Sequence, residues 1–399
     1  STTLPSITPQ LLQPIFNDNR TTVLIYGEGG SGKTSLACQF AQWAMESDQS
    51  KRLCKHVMLP VLLEQELDFK ESKQPLNDAI KGQLQALIGE TTTIPDELLD
   101  RLLRYRRILV IVDHLSELSE ATRQEIRPGH PDFSANSIVI TSRLRESLDN
   151  VPKTVIEPLR IEGVGLPIFM QDYLTQHQKR ELFSDQEFLD ACSQLTRIVG
   201  QRKITVLLIK LYVDQMIAQK ENQSSVDLPT NVPDLMLSYV NELNRGSLEK
   251  VFNDRIVQKD VKTIAWECLK RNYQPSSGSR EVVLQALQGE NAEARLTHLE
   301  EKLRIIQTIG ATQDQIRFSI DPLAEYLAAL HLIDIYQSNS SLWQGFLNDA
   351  NSFSVNLISG FLLALQDCCL VKGSSVGLPD FVLDELSKKC QQIHNPQTD

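Results

Sequence analysis

The feature that most constrains this chain is a glycine-rich segment between a predicted strand and a predicted helix. It reads Gly-Glu-Gly-Gly-Ser-Gly-Lys-Thr over residues 27–34 and follows an apolar stretch that ends at Tyr26. Glycines allow a tight loop whose backbone N–H groups converge on an anion, and the helix adds its positive N-terminal end. The sequence therefore predicts a phosphate-binding P-loop, whose nucleotide-binding residues are expected to be Gly27, Glu28, Gly29, Gly30, Ser31, Gly32, Lys33, Thr34 and Ser35.

Two side chains of this loop define the expected ligand. Lys33 supplies a positive point charge for the β- and γ-phosphates, and the Thr34 hydroxyl can ligate Mg²⁺. An accidental glycine-rich turn would lack the preceding strand and the following helix, and both are present here. No N-K-x-D segment that would read guanine follows, so we expect ATP or ADP with Mg²⁺.

A second signal is the apolar run Ile108–Val112, which ends in an acid. Asp113 is expected at the carboxyl edge of the sheet, where ligands bind in open α/β folds, and there it would be the second Mg²⁺ ligand beside Thr34. Glu117 could orient or deprotonate the attacking water. The alternatives are a helix cap for Asp113 and a solvated surface charge for Glu117.

A third signal is the apolar run Ser137–Thr141, which is followed by Ser142 and Arg143. An arginine at the end of a neighbouring strand could contact the γ-phosphate and report its presence. The alternative for Arg143 is an ion pair at the strand end. We predict Asp113, Glu117 and Arg143 as the catalytic residues.

Apolar strands that alternate with helices predict an α/β fold with a parallel sheet covered on both faces. The predicted strands are Val23–Tyr26, His56–Leu63, Ile108–Val112, Ser137–Thr141 and Thr154–Ile156. Helices dominate after Pro158, and helices followed by the strand pair Arg304–Thr308 and Gln315–Ile320 indicate a winged helix. The predicted domains are a lead-in segment at 1–20, a P-loop nucleotide domain at 21–160, a helical domain at 161–225, a winged helix at 226–322 and a C-terminal helical domain at 323–399.

Net charge, apolar runs and cysteine spacing limit the kinds of partner and the location that we expect for this chain. The net charge is −11, which argues against broad, charge-driven binding to nucleic acid or anionic lipid. No apolar run reaches the roughly 20 residues needed to cross a bilayer, so no membrane segment is expected. The seven cysteines lack zinc spacing, which favours free thiols and a cytoplasmic location. The chain opens with Ser1-Thr2-Thr3, so we expect it to be a fragment of a longer protein.

The chain resembles the NACHT branch of the STAND signalling ATPases over residues from about 20 to 335. The resemblance is carried by the P-loop, by Asp-His-Leu-Ser-Glu at 113–117, by Thr-Ser-Arg at 141–143 and by Phe-Ser-Ile-Asp-Pro-Leu-Ala-Glu-Tyr-Leu-Ala-Ala at 318–329. It implies a closed ADP state, an open ATP state that self-associates, and flanking sensor and effector domains outside this chain. The chain departs from the family pattern at His114, Ser116, Val206 and Ile320.

Four functional hypotheses follow, and the last of them is a small-molecule kinase. The leading one is an ATP-driven signalling or defence switch with slow hydrolysis. The second is a nucleotide-binding scaffold without turnover, because Ser116 stands where the family has an acid. The third is a DNA-binding regulator using the winged helix, whose cations are Arg271, Arg280, Arg295, Lys302, Arg304 and Arg317. Acidic residues interleave with these cations, which favours a solvated face. A small-molecule kinase would need an arginine-rich lid, which the region after Pro158 does not offer.

Overall fold

The fold is known from a computed structural model, and contacts divide the chain into two units. The N-terminal unit comprises Ser1–Glu28 and Gly32–Pro158, and the C-terminal unit comprises Gly29–Ser31 and Leu159–Asp399. The structure describes residues 7–69, 73–88, 94–146, 148, 151–158, 161, 165–199, 204–221, 228–246, 252–309 and 314–394.

Five strands of the N-terminal unit form one parallel sheet. They are β1 (Thr21–Tyr26), β2 (Leu59–Leu63), β3 (Ile108–Val112), β4 (Ser137–Ser142) and β5 (Thr154–Ile156). Their order across the sheet is β2-β3-β4-β1-β5. The carboxyl ends of β1, β3 and β4 therefore meet at one edge, and the predicted α/β P-loop fold class is confirmed.

Helices cover both faces of this sheet. They are α1 (Pro9–Phe16), α2 (Lys33–Met45), α3 (Pro75–Ile88), α4 (Asp96–Arg104) and α5 (Glu120–Glu125). Successive strand residues point to opposite faces, so Leu109 and Ile111 join a cluster with Phe40 of α2. Val110 and Val112 join the opposite cluster, which includes side chains of α3 and α4. Burial on both faces explains why β3 and β4 are apolar or small along their whole length.

Strand β2 begins later than the apolar pattern predicts. The prediction started the strand at His56, but the His56 ring lies 2.9 Å from the Arg106 carbonyl. The Met58 N–H donates to the Ala44 carbonyl at 2.9 Å rather than to a strand. Pairing with β3 starts only at Leu59, opposite Ile108. Residues 56–58 therefore bond to the Arg106 carbonyl and to Ala44 of α2, and they do not pair with β3.

The first part of the C-terminal unit is helical, as predicted. Its helices are α6 (Gly165–Gln176), α7 (Asp185–Val199), α8 (Val206–Glu221), α9 (Val232–Gly246) and α10 (Asp254–Leu269). Their apolar faces meet in a single hydrophobic cluster that continues through the rest of the unit.

A small antiparallel sheet follows α10. Its parts are β6 (Gly278–Ser279), α11 (Arg280–Ala286), α12 (Ala292–Thr297), β7 (Ile306–Ile309) and β8 (Gln315–Phe318), with strand order β6-β8-β7. A π-helical turn extends α12 over His298–Lys302. The strand pair was predicted, whereas β6 and α11 were not, because a two-residue strand and a seven-residue helix are too short to leave a clear periodic pattern. The winged-helix assignment and the domain boundaries stay predictions.

Four helices complete the unit: α13 (Asp321–Tyr336), α14 (Ser340–Ala350), α15 (Ser359–Val376) and α16 (Asp380–His394). Helix α13 is buried around most of its circumference, and its Tyr326 hydroxyl donates to Asp367 of α15 at 2.6 Å. The C-terminal helical region is confirmed. Among the described helices, none is both long and apolar enough to cross a bilayer. The seven cysteines are free thiols, of which Cys38 is exposed and the others are buried.

Candidate functional site

The P-loop connects β1 directly to α2 at the carboxyl edge of the sheet. The Gly27 N–H donates to the Ser142 carbonyl at 3.1 Å and extends the pairing of β1 with β4. Gly32 precedes α2 with φ of 91°, a left-handed backbone that side chains with a Cβ rarely adopt. A Cβ there would have open space, so the glycine is required by the backbone conformation.

Gly30 is required for a second reason. Its φ is 75°, and a Cβ on Gly30 would lie 3.0 Å from the Leu207 Cβ, within the C-terminal unit. The Leu207 N–H also donates to the Gly30 carbonyl at 3.3 Å. The tip of the loop therefore packs on the first turn of α8, which begins at Val206.

Lys33 is held inside the loop by main-chain oxygens. Its ammonium donates to the carbonyls of Gly27 and Glu28 at 2.7 and 2.8 Å, and the residue is only 7% exposed. A buried ammonium held by two loop carbonyls is suited to a phosphate chain, whose oxygens can take over these hydrogen bonds.

Asp113 lies fully buried next to the P-loop helix. Its Oδ1 accepts hydrogen bonds from the Thr141 hydroxyl and from the His114 N–H, the latter at 3.2 Å. Its Oδ2 lies 3.0 Å from His114 Nε2. Burial works to raise the pKa of the Asp113 carboxyl, but the hydrogen bond and charge of His114, with hydrogen bonds from Thr141 and Thr34, hold that pKa below its usual value. The group is therefore a carboxylate at neutral pH.

Thr34 and Asp113 provide the oxygen donors that a magnesium site needs. The Thr34 side chain is one of the groups that lower the pKa of the Asp113 carboxyl, so the two side chains are neighbours, although Thr34 is exposed and Asp113 is buried. Mg²⁺ prefers hard oxygen ligands, and commonly takes only one or two from the protein. A hydroxyl from α2 and an ionised carboxylate after β3 fit that requirement.

Glu117 and Arg143 form a buried ion pair. Arg143 Nε lies 2.8 Å from Glu117 Oε1, and the two side chains are 14% and 3% exposed. Glu117 Oε2 lies 3.4 Å from His114 Nδ1. The structure thus brings all three predicted catalytic residues together, excludes a solvated surface position for Glu117, and shows the ion pair that was the alternative for Arg143.

The loop after β3 depends on one unusual backbone conformation. His114 has φ of 59°, a left-handed value that is uncommon outside glycine. The reversal sends the next residues back toward β4, where the Ser116 hydroxyl accepts a hydrogen bond from the Arg143 N–H at 2.9 Å. Ser116 therefore supports the backbone that carries Arg143.

Sequence reasoning missed two members of this cluster. Thr141 could have been found, because Ile140 pairs with Val112 in the parallel register and the next residues must then be neighbours. His114 left no such signal, because its contacts with Asp113 and Glu117 follow from the left-handed backbone conformation.

Two family models match parts of the chain. Residues 21–165 match the model of the NACHT domain, and residues 352–392 match the model of the NACHT C-terminal Helical domain 4. The first match spans the whole parallel sheet and the P-loop. No curated protein sequence matches the chain.

Two solved structures show distant similarity. One is a Signal Transduction ATPase with Numerous Domains (STAND) protein with a tetratricopeptide repeat sensor from Pyrococcus horikoshii, with a TM-score of 0.39 and 13% identity. The match covers 99% of this chain and 59% of that protein, so this chain spans about three fifths of its length. The other is a Walker-type ATPase of Pyrococcus abyssi, with a TM-score of 0.31, 11% identity, and coverage of 77% of this chain and 91% of that one.

Proposed function

Residues 21–165 are a NACHT domain that carries a P-loop, and on this premise we propose that the chain is an ATP-binding molecular switch. Its nucleotide state controls conformation and self-association in signalling or defence. The observation that carries the proposal is the convergence of three groups: the buried Lys33 ammonium, the Thr34 hydroxyl and the ionised Asp113 carboxylate.

Each group has a defined task in holding the nucleotide. The loop amides and the N-terminal end of α2 bind the phosphate oxygens, and Lys33 neutralises charge on the β- and γ-phosphates. Thr34 and Asp113 would hold Mg²⁺. The ion, when bound, supplies positive charge that screens the phosphates and stabilises the leaving diphosphate.

Arg143 links nucleotide state to conformation. It is paired with Glu117 at 2.8 Å, and the γ-phosphate of ATP offers a second, more highly charged partner for the same guanidinium. ATP would therefore draw Arg143 away from Glu117, and hydrolysis would return it. The exchange alters the loop after β3, because the backbone N–H of Arg143 donates to the Ser116 hydroxyl in that loop.

The binding part of the proposal is tested with Lys33→Ala and the matched control Lys51→Ala. Lys51 is an exposed lysine of the same unit, 3.9 Å from Asp48. We expect Lys33→Ala to lose at least about 10-fold in ATP affinity, because hydrogen bonds to charged groups contribute about 1.5–3 kcal/mol. Lys51→Ala should match the wild type. Equal ATP affinity in all three proteins would end the proposal.

The switch part of the proposal is tested by molar mass. Light scattering with ATP and Mg²⁺, compared with ADP and Mg²⁺, should give a larger mass in the ATP state. Identical masses would remove self-association from the proposal and leave nucleotide binding intact. The ratio of the affinities for ATP and GTP shows which nucleobase the site prefers. The same affinities measured with and without Mg²⁺ show whether the ion contributes to binding.

A scaffold without turnover remains the second candidate, because a specific observation favours it. Both carboxylate oxygens of Glu117 are engaged, one by Arg143 and one by His114, and Ser116 supports the backbone instead of adding an acid. Phosphate release assayed in the wild type and in Glu117→Gln separates the candidates. Release by the wild type above a protein-free blank excludes the scaffold, and loss of that release in Glu117→Gln would assign the catalysis to Glu117.

The DNA-binding alternative has weaker support. Within the small antiparallel sheet and its helices, Arg280 lies 3.6 Å from Glu300, and Arg295 lies 3.4 Å from Asp260. These acids neutralise the positive charges that would otherwise bind the phosphate backbone of DNA.

A further inference from the structure

Strand β2 ends beside the acidic end of β3, and a glutamate follows it. Leu63 is in register with Val112, and the Asp113 N–H donates to the Leu63 carbonyl at 2.9 Å. Glu64 therefore leaves the sheet at the same edge as Asp113 and next to it. The carboxyl edge of a parallel sheet is where ligands bind in this class of fold.

Helix α2 passes close to the same edge of the sheet. Cys38 lies four residues after Thr34, so both side chains project from the same face of the helix. Partial desolvation at the surface raises the pKa of the exposed Cys38 thiol, and the negative charges of Asp113 and Glu64 raise it further. The Cys38 thiol therefore lies near both carboxylates, in agreement with the strand register that puts Glu64 next to Asp113.

The two glutamates near Asp113, Glu64 and Glu117, differ in solvent exposure and in the number of side chains that contact their carboxylates. Glu117 is 3% exposed and held by Arg143 and His114. Glu64 is half-buried, and no described residue forms a hydrogen bond or ion pair with its carboxylate. A general base must reach both water and substrate, and Glu64 meets that condition better than Glu117.

We infer that Glu64 is the catalytic base for hydrolysis at this site, an inference that rests on the nucleotide-binding function proposed above. The Glu64 carboxylate accepts a proton from the attacking water. As the water oxygen bonds to the γ-phosphorus, the bond between that phosphorus and its bridging oxygen breaks, and the electron pair leaves on ADP. Glu64 then releases the proton to solvent, so the products are ADP, inorganic phosphate and a proton.

The experiment measures ATP affinity and single-turnover phosphate release in the same set of proteins. The set is the wild type, Glu64→Gln, Glu64→Asp, Glu117→Gln and the control Asp68→Asn. Asp68 is exposed on the same segment after β2, so its change removes one negative charge near Glu64. Thermal unfolding confirms that each variant folds.

We expect Glu64→Gln to bind ATP within about threefold of the wild type and to release phosphate about 100-fold more slowly or worse, the usual range for loss of a general base. Glu64→Asp should keep part of the rate, and Glu64→Gln should lose the acidic limb of the pH–rate profile. Asp68→Asn should hydrolyse at the wild-type rate.

Three results would overturn the inference while leaving nucleotide binding intact. They are hydrolysis by Glu64→Gln at the rate of Asp68→Asn, loss of ATP affinity in Glu64→Gln, and a wild type that binds ATP but releases no phosphate. A wild type that binds no nucleotide would overturn both the inference and the proposed function.

Discussion

The Glu117–Arg143 ion pair offers a sharp test of the site's energetics. Its atoms are 2.8 Å apart, and Glu117 is almost completely buried. Removal of one partner from a buried pair usually costs about 3–5 kcal/mol, because the other charge stays buried. Arg143 keeps partial contact with solvent and His114 also lies near Glu117, so we expect Arg143→Ala to cost about 2–3 kcal/mol.

A double mutant of Arg143 and Glu117 separates the free energy of their pairing from the cost of each single substitution. Glu117→Gln takes the charged partner from Arg143, but it keeps the shape and a hydrogen-bond acceptor, and Arg143 is the more exposed side chain of the two, so this change should cost only about 1 kcal/mol. In the double variant Arg143→Ala with Glu117→Gln, no uncompensated carboxylate remains. Its cost should therefore fall short of the sum of the single changes by about 1–2 kcal/mol.

The assay is urea unfolding with hydrogen exchange read by mass spectrometry. Peptides from β1, β3 and β4 report the N-terminal unit, and peptides from α13 and α15 serve as the internal control. Only the first group should lose protection in Arg143→Ala. A coupling free energy below about 0.5 kcal/mol, which is within the additivity of independent sites, would refute the reasoning that this pair is energetically linked.

Two further predictions concern buried polar groups. Thr141→Val removes the hydroxyl that donates to Asp113, so it should cost about 1–3 kcal/mol and weaken ATP binding more with Mg²⁺ than without it. Thr22→Val is the matched control, because the Thr22 hydroxyl is buried and has no hydrogen-bond partner among the described residues; equal costs would contradict the prediction. In the C-terminal unit, burial lowers the pKa of His331 to about 4 from its ordinary 6.5. The unfolded chain then binds the proton more readily, so stability is present above pH 6.5 and lost as the pH falls from 6.5 to 4, by about 2 kcal/mol after allowance for partial exposure. Urea midpoints at pH 7 and 4.5 should differ less in His331→Gln than in the wild type, and an unchanged difference would contradict this assignment.

Local pattern was enough to identify the strands and the ends from which the site is built. The glycines at 27, 29, 30 and 32 with Lys33 specify a phosphate loop by themselves, because backbone conformation and charge are local properties. The run Ile108–Val112 likewise predicted a strand buried on both faces, and the acid that follows it was therefore expected at an edge of the sheet.

Local pattern failed where an element is too short or a partner lies far along the chain. The strand β6 has only two residues, and it exists because β8 pairs with it. The start of β2 was misplaced because its boundary depends on contacts of His56 and Met58 with other elements.

By itself the sequence determined that a P-loop, an acid and an arginine lie at strand ends of one parallel sheet. Only the tertiary structure decided which strand ends are neighbours. The order β2-β3-β4-β1-β5 puts Glu64 beside Asp113, and the left-handed backbone of His114 brings Glu117 to Arg143. Strand order and loop reversal are set by packing between segments distant in the chain, and no periodicity within a single segment encodes them.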